Sequence, residues 1–162
     1  MHKFRIEFLK VMQNKEEKNI TSNRKAFHEY FIEQKIEAGI VLLGTEVKAL
    51  RNGKANLVDA YASIKDDEVW MSNAHIGVYD HGNRNNHDPI RKRKLLLKRS
   101  EIRKLNNKIK QKGYSLIPLR LYFSNGKVKV EIGLARGKKS YDKRETIRQK
   151  DAQRDLDRSL KM

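Results

Sequence analysis

The residues best suited to chemistry in this sequence are its histidines and the carboxylates beside some of them. Asp80-His81 and His87-Asp88 place imidazole and carboxylate groups, ligands that zinc or manganese accepts, within one short segment. That segment is rich in Asn and Gly and offers no further ligand pair, which is more typical of an exposed polar loop. His28-Glu29 lacks both a nucleophile and a third, orienting residue. We therefore expect no metal, no cofactor and no enzymatic activity.

A run of basic residues is the second candidate for function. Residues 91–112 carry eleven Lys and Arg against one acid, Glu101, in a chain whose formal net charge is +17. Such clustering is the electrostatic footprint of phosphate binding, although a solvated helix face can also be basic. We take Arg91, Arg93 and Lys94 from this run as candidate RNA contacts.

Glu37 is the acid of most interest, because it stands beside Ala38-Gly39 in a strongly basic chain. It is suited to pairing with a lysine. It is equally suited to accepting hydrogen bonds from base amino groups, which would give a selectivity that phosphate contacts cannot give. The residue pattern alone leaves both interpretations open.

The elements that would position these residues are mainly strands. Val128, Val130, Ile132 and Leu134 alternate with other residues, which predicts a half-buried strand ending near Ala135. Turn signals at Asp66-Asp67 and Asn125-Gly126 predict hairpins. Ser100 to Lys112 has the apolar spacing of a helix, and Asn23 is suited to capping a shorter helix. The order favours an antiparallel Greek-key barrel of the oligonucleotide-binding (OB) type, with short flanking helices and the longer helix between the third and fourth strands.

Three regions follow from this pattern. Residues 1–22 are expected to be a flexible N-terminal extension, residues 23–135 the OB-type RNA-binding barrel, and residues 136–162 a basic C-terminal tail. The tail carries Ala152, Leu156 and Leu160 at helical spacing, so we expect it to be disordered alone and helical against a partner. The chain has no Cys and no apolar run of bilayer length, which favours a soluble cytoplasmic protein.

Several motifs resemble those of one known family. They lie in order over residues 23–144 and are listed here: Asn23-Arg-Lys-Ala-Phe-His-Glu-Tyr30, Glu37-Ala-Gly39, Gly44-Thr-Glu-Val-Lys-Ala-Leu-Arg51, Gly53-Lys-Ala-Asn56, Asp88-Pro-Ile-Arg-Lys-Arg-Lys-Leu-Leu-Leu97, Gly133-Leu-Ala-Arg-Gly-Lys-Lys139 and Asp142-Lys-Arg144. Together they are highly specific, and they resemble the SsrA-binding protein (SmpB) family.

The resemblance implies an OB-type barrel that binds the tRNA-like domain of transfer-messenger RNA (tmRNA, or SsrA). With elongation factor Tu, the complex would reach stalled ribosomes for trans-translation, and the tail would pass the decoding centre into the empty mRNA channel. A monomer is expected. By motif position, the residues implied on or behind the RNA surface are Asn23, Arg24, His28, Glu37, Arg51, Lys54, Leu96 and Lys129. Those implied for the ribosome-binding tail are Gly137, Lys138, Lys139, Tyr141, Asp142, Lys143, Arg144, Ile147 and Leu156.

Two other functions remain as alternatives. One is a metal-dependent RNA-processing hydrolase that uses His81 and His87, which predicts loss of activity on chelation. The other is a ribosome accessory protein that binds RNA by charge alone. That protein would show steep salt dependence and no preference among structured RNAs.

Overall fold

The computed structural model describes residues 16–111 and 113–161. The nine strands in these ranges are β1 (Glu17–Ser22), β2 (Tyr30–Ile40), β3 (Ala55–Asn56), β4 (Tyr61–Lys65), β5 (Glu68–Ser72), β6 (His75–Ile76), β7 (Arg93–Leu96), β8 (Tyr114–Ser124) and β9 (Lys127–Gly137). The four α-helices there are α1 (Arg24–Glu29), α2 (Gly44–Arg51), α3 (Arg99–Ile109) and α4 (Ser140–Ser159). A short 3-10 helix covers Asn83–Asn85. None of the helices in these ranges is both long and apolar enough to cross a membrane.

Seven strands form one antiparallel sheet in the order β1-β8-β4-β5-β7-β2-β9, and β8 also pairs with β9. The pairings therefore close a circuit of six strands, with β1 added outside β8. The circuit is thinnest between β4 and β8, which are joined at a single pair, Ala62 and Leu116. Strands β3 and β6 form a separate two-stranded ladder. The expectation of a mainly β, antiparallel body with flanking helices is confirmed.

Alternating apolar residues of the long strands build the core. Leu116 and Leu121 on β8 and Val130, Ile132 and Leu134 on β9 are all essentially fully buried. Side chains on a strand alternate between its two faces, so Val130, Ile132 and Leu134 share one face of β9. The register shift between Pro118 and Arg120 brings Leu116 and Leu121 of β8 to the same core, and a smaller second cluster contains Ala26, Ile117, Leu119 and Ala135.

Helix α3 covers part of the same core through Ile102 and Leu105, as its apolar spacing predicted. It begins at Arg99, and Glu101 Oε2 accepts the Lys98 backbone N–H at 2.9 Å. Its last helical residue is Ile109, so the predicted span of Ser100 to Lys112 was placed slightly late. In the circuit it follows the fourth strand in chain order, not the third.

Both predicted hairpins are present. Asp66 and Asp67 have φ values of 52° and 58°, and Asn125 and Gly126 have 51° and 76°. Two successive residues with positive φ give the turn whose twist matches that of the flanking strands. Asn23 caps α1 as expected, since its Oδ1 accepts the Ala26 N–H at 3.1 Å.

Two regional boundaries need correction. Residues 17–22 form strand β1, which pairs with β8 from Glu17 opposite Ser124 to Ser22 opposite Arg120, and are not a loose extension. The other residues of the expected extension lie almost wholly outside the described ranges. The body also continues past Ala135, because Gly137 still pairs with Tyr30 and the Lys138 N–H donates to the Glu29 carbonyl at 2.8 Å. Gly137 and Lys138 thus belong to the body, and the tail begins at Lys139.

Candidate nucleic-acid interface

An open groove brings together three of the residues expected at the RNA surface. Gly39 on β2 lies opposite Leu96 on β7 on one side and opposite Lys129 on β9 on the other. Glu37, two residues earlier on β2, lines the same groove as Leu96 and Lys129. We call these three residues the Glu37 groove. Leu96 is 53% exposed, so the groove offers an acid, a cation and an apolar contact at one place.

Gly39 leaves little room for a side chain beside Leu96 in this groove. A Cβ at position 39 would lie 3.2 Å from Leu96 Cβ, which is tighter than an ordinary contact. The absence of a side chain therefore lets β7 approach β2 and places Leu96 at the groove.

Glu37 is positioned from behind by Tyr122. The buried Tyr122 hydroxyl donates a short hydrogen bond to Glu37 Oε2. Burial and this carboxylate together raise the pKa of Tyr122, which keeps the hydroxyl protonated as a donor. The Arg120 guanidinium lies 4.1 Å from the centre of the Tyr122 ring. Arg120 is in turn paired with Glu131 and with Glu17 of β1, at 3.1 Å each.

Sequence reasoning missed Tyr122. The available signal was its place on β8 directly opposite Lys129, a register that the Asn125-Gly126 turn fixes.

Helix α3 carries the exposed part of the basic run. Arg99, Arg103 and Lys104 on the helix and Lys110 directly after it are exposed, and none of them has a carboxylate within 4.0 Å among the residues that the structure describes. Lys108 pairs with Glu33 at 3.4 Å. The helix thus presents several cations that are available to phosphate groups.

Two candidates from the basic run turn inward. Arg93 is fully buried, and its Nε donates to Glu46 Oε1 at 2.8 Å while its Nη1 donates to the Ala74 carbonyl at 2.7 Å. Arg91 donates to both oxygens of Glu46, at 2.8 and 2.6 Å. Arg93 as an RNA contact is therefore wrong, because its guanidinium is used inside the fold. Arg91 is only partly exposed, with most of its donors satisfied by Glu46 and the backbone.

Three further candidates on the body, Lys94, Lys54 and Arg51, do not line the Glu37 groove. Lys94 pairs with Glu68, and Lys54 pairs with Asp80 at 2.7 Å and lowers the pKa of that carboxyl. Arg51 is exposed at the end of α2, a helix that packs against β6. The roles of Lys94, Lys54 and Arg51 as RNA contacts stay predictions.

Asn23, Arg24 and His28 precede β2: Asn23 is the N-cap of α1, and Arg24 and His28 lie on that helix. Asn23 is buried, and its Nδ2 donates to the Leu57 carbonyl at 2.9 Å and the Pro118 carbonyl at 3.1 Å. Asn23 therefore supports the surface and does not contact a partner directly. Arg24 is exposed and His28 is partly exposed.

The tail leaves the body beside α1. The Lys138 ammonium donates to the Phe27 carbonyl at 3.2 Å, and the Lys139 N–H donates to Asp142 Oδ2 at 3.1 Å at the start of α4. Helix α4 buries none of its residues. Its exposed members include the tail candidates Tyr141, Arg144, Ile147 and Leu156, while Asp142 and Lys143 are partly exposed.

Comparison with known proteins decides the family. The model of the SmpB protein family matches residues 20–162. The chain belongs to the SmpB family. An SsrA-binding protein of Geobacter metallireducens is 60% identical over 145 residues, covering 90% of this chain and 95% of that protein. One from Acetivibrio thermocellus is 57% identical over 150 residues, covering 93% and 97%.

A solved structure supports the same SmpB relationship. The study is "tmRNA-SmpB: a journey to the center of the bacterial ribosome", and its matching chain is 49% identical. The two chains superpose with a TM-score of 0.64, over 74% of this chain and 85% of the other.

The two histidines considered for a metal site, His81 and His87, have different environments in this SmpB-family chain. His87 is buried, with its ring nitrogens 2.9 Å from Thr45 Oγ1 and from the Ile76 carbonyl. Since a carbonyl only accepts, Nε2 carries the proton in that contact. His81 is exposed and packs edge-on against Tyr79 at 5.4 Å between ring centroids. Within the described ranges, no three His, Cys, Asp or Glu residues are grouped to hold a metal.

Proposed function

We propose that this protein is an RNA-binding adapter that binds the tRNA-like domain of tmRNA and delivers it to stalled ribosomes for trans-translation. The observation that carries the proposal is the convergence of Glu37, Leu96 and Lys129 on one open groove in a family member. Its relatives are named for binding SsrA, and at 60% identity the same RNA is the natural ligand here.

Each residue of the Glu37 groove has a separate role in this proposal. Lys129 and the cations of α3 attract phosphates, which gives affinity without sequence preference. Glu37, held by Tyr122, accepts hydrogen bonds from base amino groups and so contributes selectivity. The exposed Leu96 packs against an unstacked base or a sugar. The closed circuit of six strands supports an OB-type barrel as the scaffold.

The tail is proposed to act on the ribosome. Helix α4 packs none of its side chains into a core, and most of the stability of helices in proteins comes from such tertiary packing. We therefore propose that it is disordered alone and becomes helical inside the empty mRNA channel, beyond the decoding centre. Elongation factor Tu as a delivery partner, a monomeric state and a cytoplasmic location belong to the same proposal.

The two alternatives have less support. A hydrolase based on His81 and His87 gains nothing from the geometry, because both ring nitrogens of His87 are engaged within the fold. Binding by charge alone would use the cations of α3 but leaves the positioned Glu37–Tyr122 pair without a role.

The test compares binding of the tRNA-like domain of tmRNA and of an ordinary tRNA at about 0.15 M salt, where non-specific binding is weak. The wild type should prefer the tRNA-like domain. Glu37→Gln should lower that preference by about tenfold, because a hydrogen bond to a charged group is lost. Lys129→Ala should weaken both RNAs alike and reduce the salt slope by about one.

Glu68→Gln is the matched control, since it removes an acid that pairs with Lys94 outside the groove. A chain ended after Lys138 retains all of β9 and tests the tail's part in RNA binding. Equal affinity of the wild type for both RNAs would contradict the adapter and leave binding by charge. Hydrolysis of either RNA that stops on adding a chelator would favour the hydrolase.

A further inference from the structure

The tail is hydrogen-bonded back to the body through a side chain of α4. Thr146, in the second turn of that helix, accepts from the Lys138 ammonium, with Nζ 3.4 Å from Thr146 Oγ1. The same ammonium donates to the Phe27 carbonyl on α1 at 3.2 Å. Lys138 therefore joins α4 to α1, and we call Lys138, Thr146 and the Phe27 carbonyl the Lys138 clasp.

The groups in the clasp match each other in donors and acceptors. A hydroxyl donates one hydrogen bond and accepts up to two, and an ammonium has three N–H groups to donate. Thr146 Oγ1 donates to the Asp142 carbonyl at 2.8 Å, one turn earlier in α4, which leaves its lone pairs for Lys138. Lys138 is partly buried, and its Nζ lies 5.1 Å from the centre of the Phe31 ring. Water therefore competes less for these contacts than it would at a fully exposed lysine.

Burial divides α4 at Thr146. Asp142, Lys143 and Thr146 are partly covered and share one side of the helix, the side on which α4 meets α1. Every residue of α4 after Thr146 is exposed. The ion pairs farther along α4 join residues of the helix to each other and not to the body. The first two turns of α4 are thus attached to the body, and the later turns are not.

Attachment of the first turns acts on helix nucleation. Forming a first turn fixes several dihedral angles for one hydrogen bond, which disfavours nucleation by about a thousandfold, whereas each later residue adds a hydrogen bond of its own. The Lys139 N–H donates to Asp142 Oδ2 at 3.1 Å at the start of α4, and the clasp holds Thr146 one turn later. The rest of the helix can therefore extend a nucleus that already exists.

We propose that Thr146 is a positioning residue: through the Lys138 clasp it holds the first two turns of α4 on α1, so that the tail leaves the body as a helix with a fixed direction. The residues from Ile147 to Ser159 extend this helix by about 20 Å when a partner covers them, at 1.5 Å for each residue. The proposal deepens the role proposed for the tail and limits the disorder of the free tail to the residues after Thr146. It rests on the proposed function only for the identity of the partner.

The first test uses the full-length protein without RNA. Thr146→Val keeps the shape and nearly the helix propensity of Thr but lacks the hydroxyl. Amide hydrogen exchange at residues 143–147, followed by NMR, should become about three- to tenfold faster, because one hydrogen bond is lost. Thr146→Ser keeps a hydroxyl and should exchange like the wild type. Ser159→Ala is the matched control, since it removes a hydroxyl that donates to the Leu156 carbonyl at the far end of α4.

The direction of the tail is measured separately. The chain has no Cys, so Lys127→Cys and Glu145→Cys create two unique sites for spin labels, one at the start of β9 and one in the second turn of α4. Pulsed electron paramagnetic resonance should give a narrow distribution of label distances in this background and with Thr146→Ser. With Thr146→Val the distribution should become broad.

Unchanged exchange and an unchanged distance distribution in T146V would overturn the proposal. Equal changes in T146V and T146S would also overturn it, because the hydroxyl would then not be the determinant. Faster exchange at residues 143–147 in S159A, or a lower urea midpoint of the body in T146V, would replace it by general fraying or destabilisation. These measurements need no RNA, so failure of the adapter function would appear separately, as no preference for the tRNA-like domain.

Discussion

Replacing Glu46 by Gln keeps the shape of a fully buried side chain and removes its charge. Glu46 Oε1 accepts from Arg91 Nε and Arg93 Nε at 2.8 Å each. Its Oε2 accepts from Arg91 Nη2 at 2.6 Å and from the Leu43 N–H at 2.8 Å. A Gln side chain would turn an N–H₂ group toward one of these pairs of donors and would leave the Arg93 guanidinium buried without an anion.

The expected cost is large. Removing one partner of a buried ion pair costs about 3–5 kcal/mol, against a total stability of about 5–15 kcal/mol for a typical domain. With a urea m-value of about 2 kcal/mol/M, the unfolding midpoint of E46Q should fall by roughly 2 M. Urea unfolding followed by circular dichroism measures this shift.

Glu68→Gln is the control, because it breaks an ion pair whose Lys94 and Glu68 side chains are 36% and 40% exposed. An exposed pair contributes about 1 kcal/mol at most. If the midpoint of E46Q moves no further than that of E68Q, the conclusion that the Glu46 pair holds β7 to α2 is refuted.

Three further predictions concern the same body. Burial alone would raise the pKa of Glu46, but hydrogen bonds and charge from its Arg partners lower it below 4.5. Its contribution is therefore complete above that pH and is lost as the pH falls through the lowered folded value, so thermal midpoints of wild type and E46Q should converge on acidification. Gly133→Ala should cost about 1–3 kcal/mol in urea unfolding, since overpacking strains a core, and its Cβ would lie 3.0 Å from Leu119 Cδ1. Tyr122→Phe removes the donor that positions Glu37, and should reduce the preference for the tRNA-like domain over tRNA while leaving the salt slope unchanged.

Caps, turns and the buried face of a helix could be predicted from the sequence, because a short segment determines each of them. Asn23 caps α1 through contacts within four residues, and Asn125-Gly126 sets both the turn and the register of β8 with β9. The apolar spacing of α3 likewise marked the face that it buries. These elements were predicted because the determining interactions are local.

Contacts between residues that are far apart in the chain could not be predicted from the sequence. Arg93 looked like an RNA contact because it stands among cations, but its partner Glu46 is 47 residues away in the chain. Glu17–Ser22 is polar and looked like an extension, yet it forms an edge strand whose place is provided by β8. The family resemblance implied each of the three groove residues, Glu37, Leu96 and Lys129. The hydrogen bond from Tyr122 to Glu37 depends on β9, which pairs with β8 on one side and with β2 on the other.

The pairing of β2 with β9 runs from Tyr30 opposite Gly137 to Gly39 opposite Lys129. Helix α4 follows β9 directly, so the same ladder fixes the Glu37 groove at one end and the starting point of the tail at the other. The ladder sets the distance between the groove and the start of the tail at roughly 30 Å, at about 3.3 Å for each residue of strand. Loss or gain of one residue in β9 would change that distance and turn the alternating side chains to the opposite faces. The length of this segment is therefore constrained by two surfaces at once, and it should tolerate substitution far better than insertion or deletion.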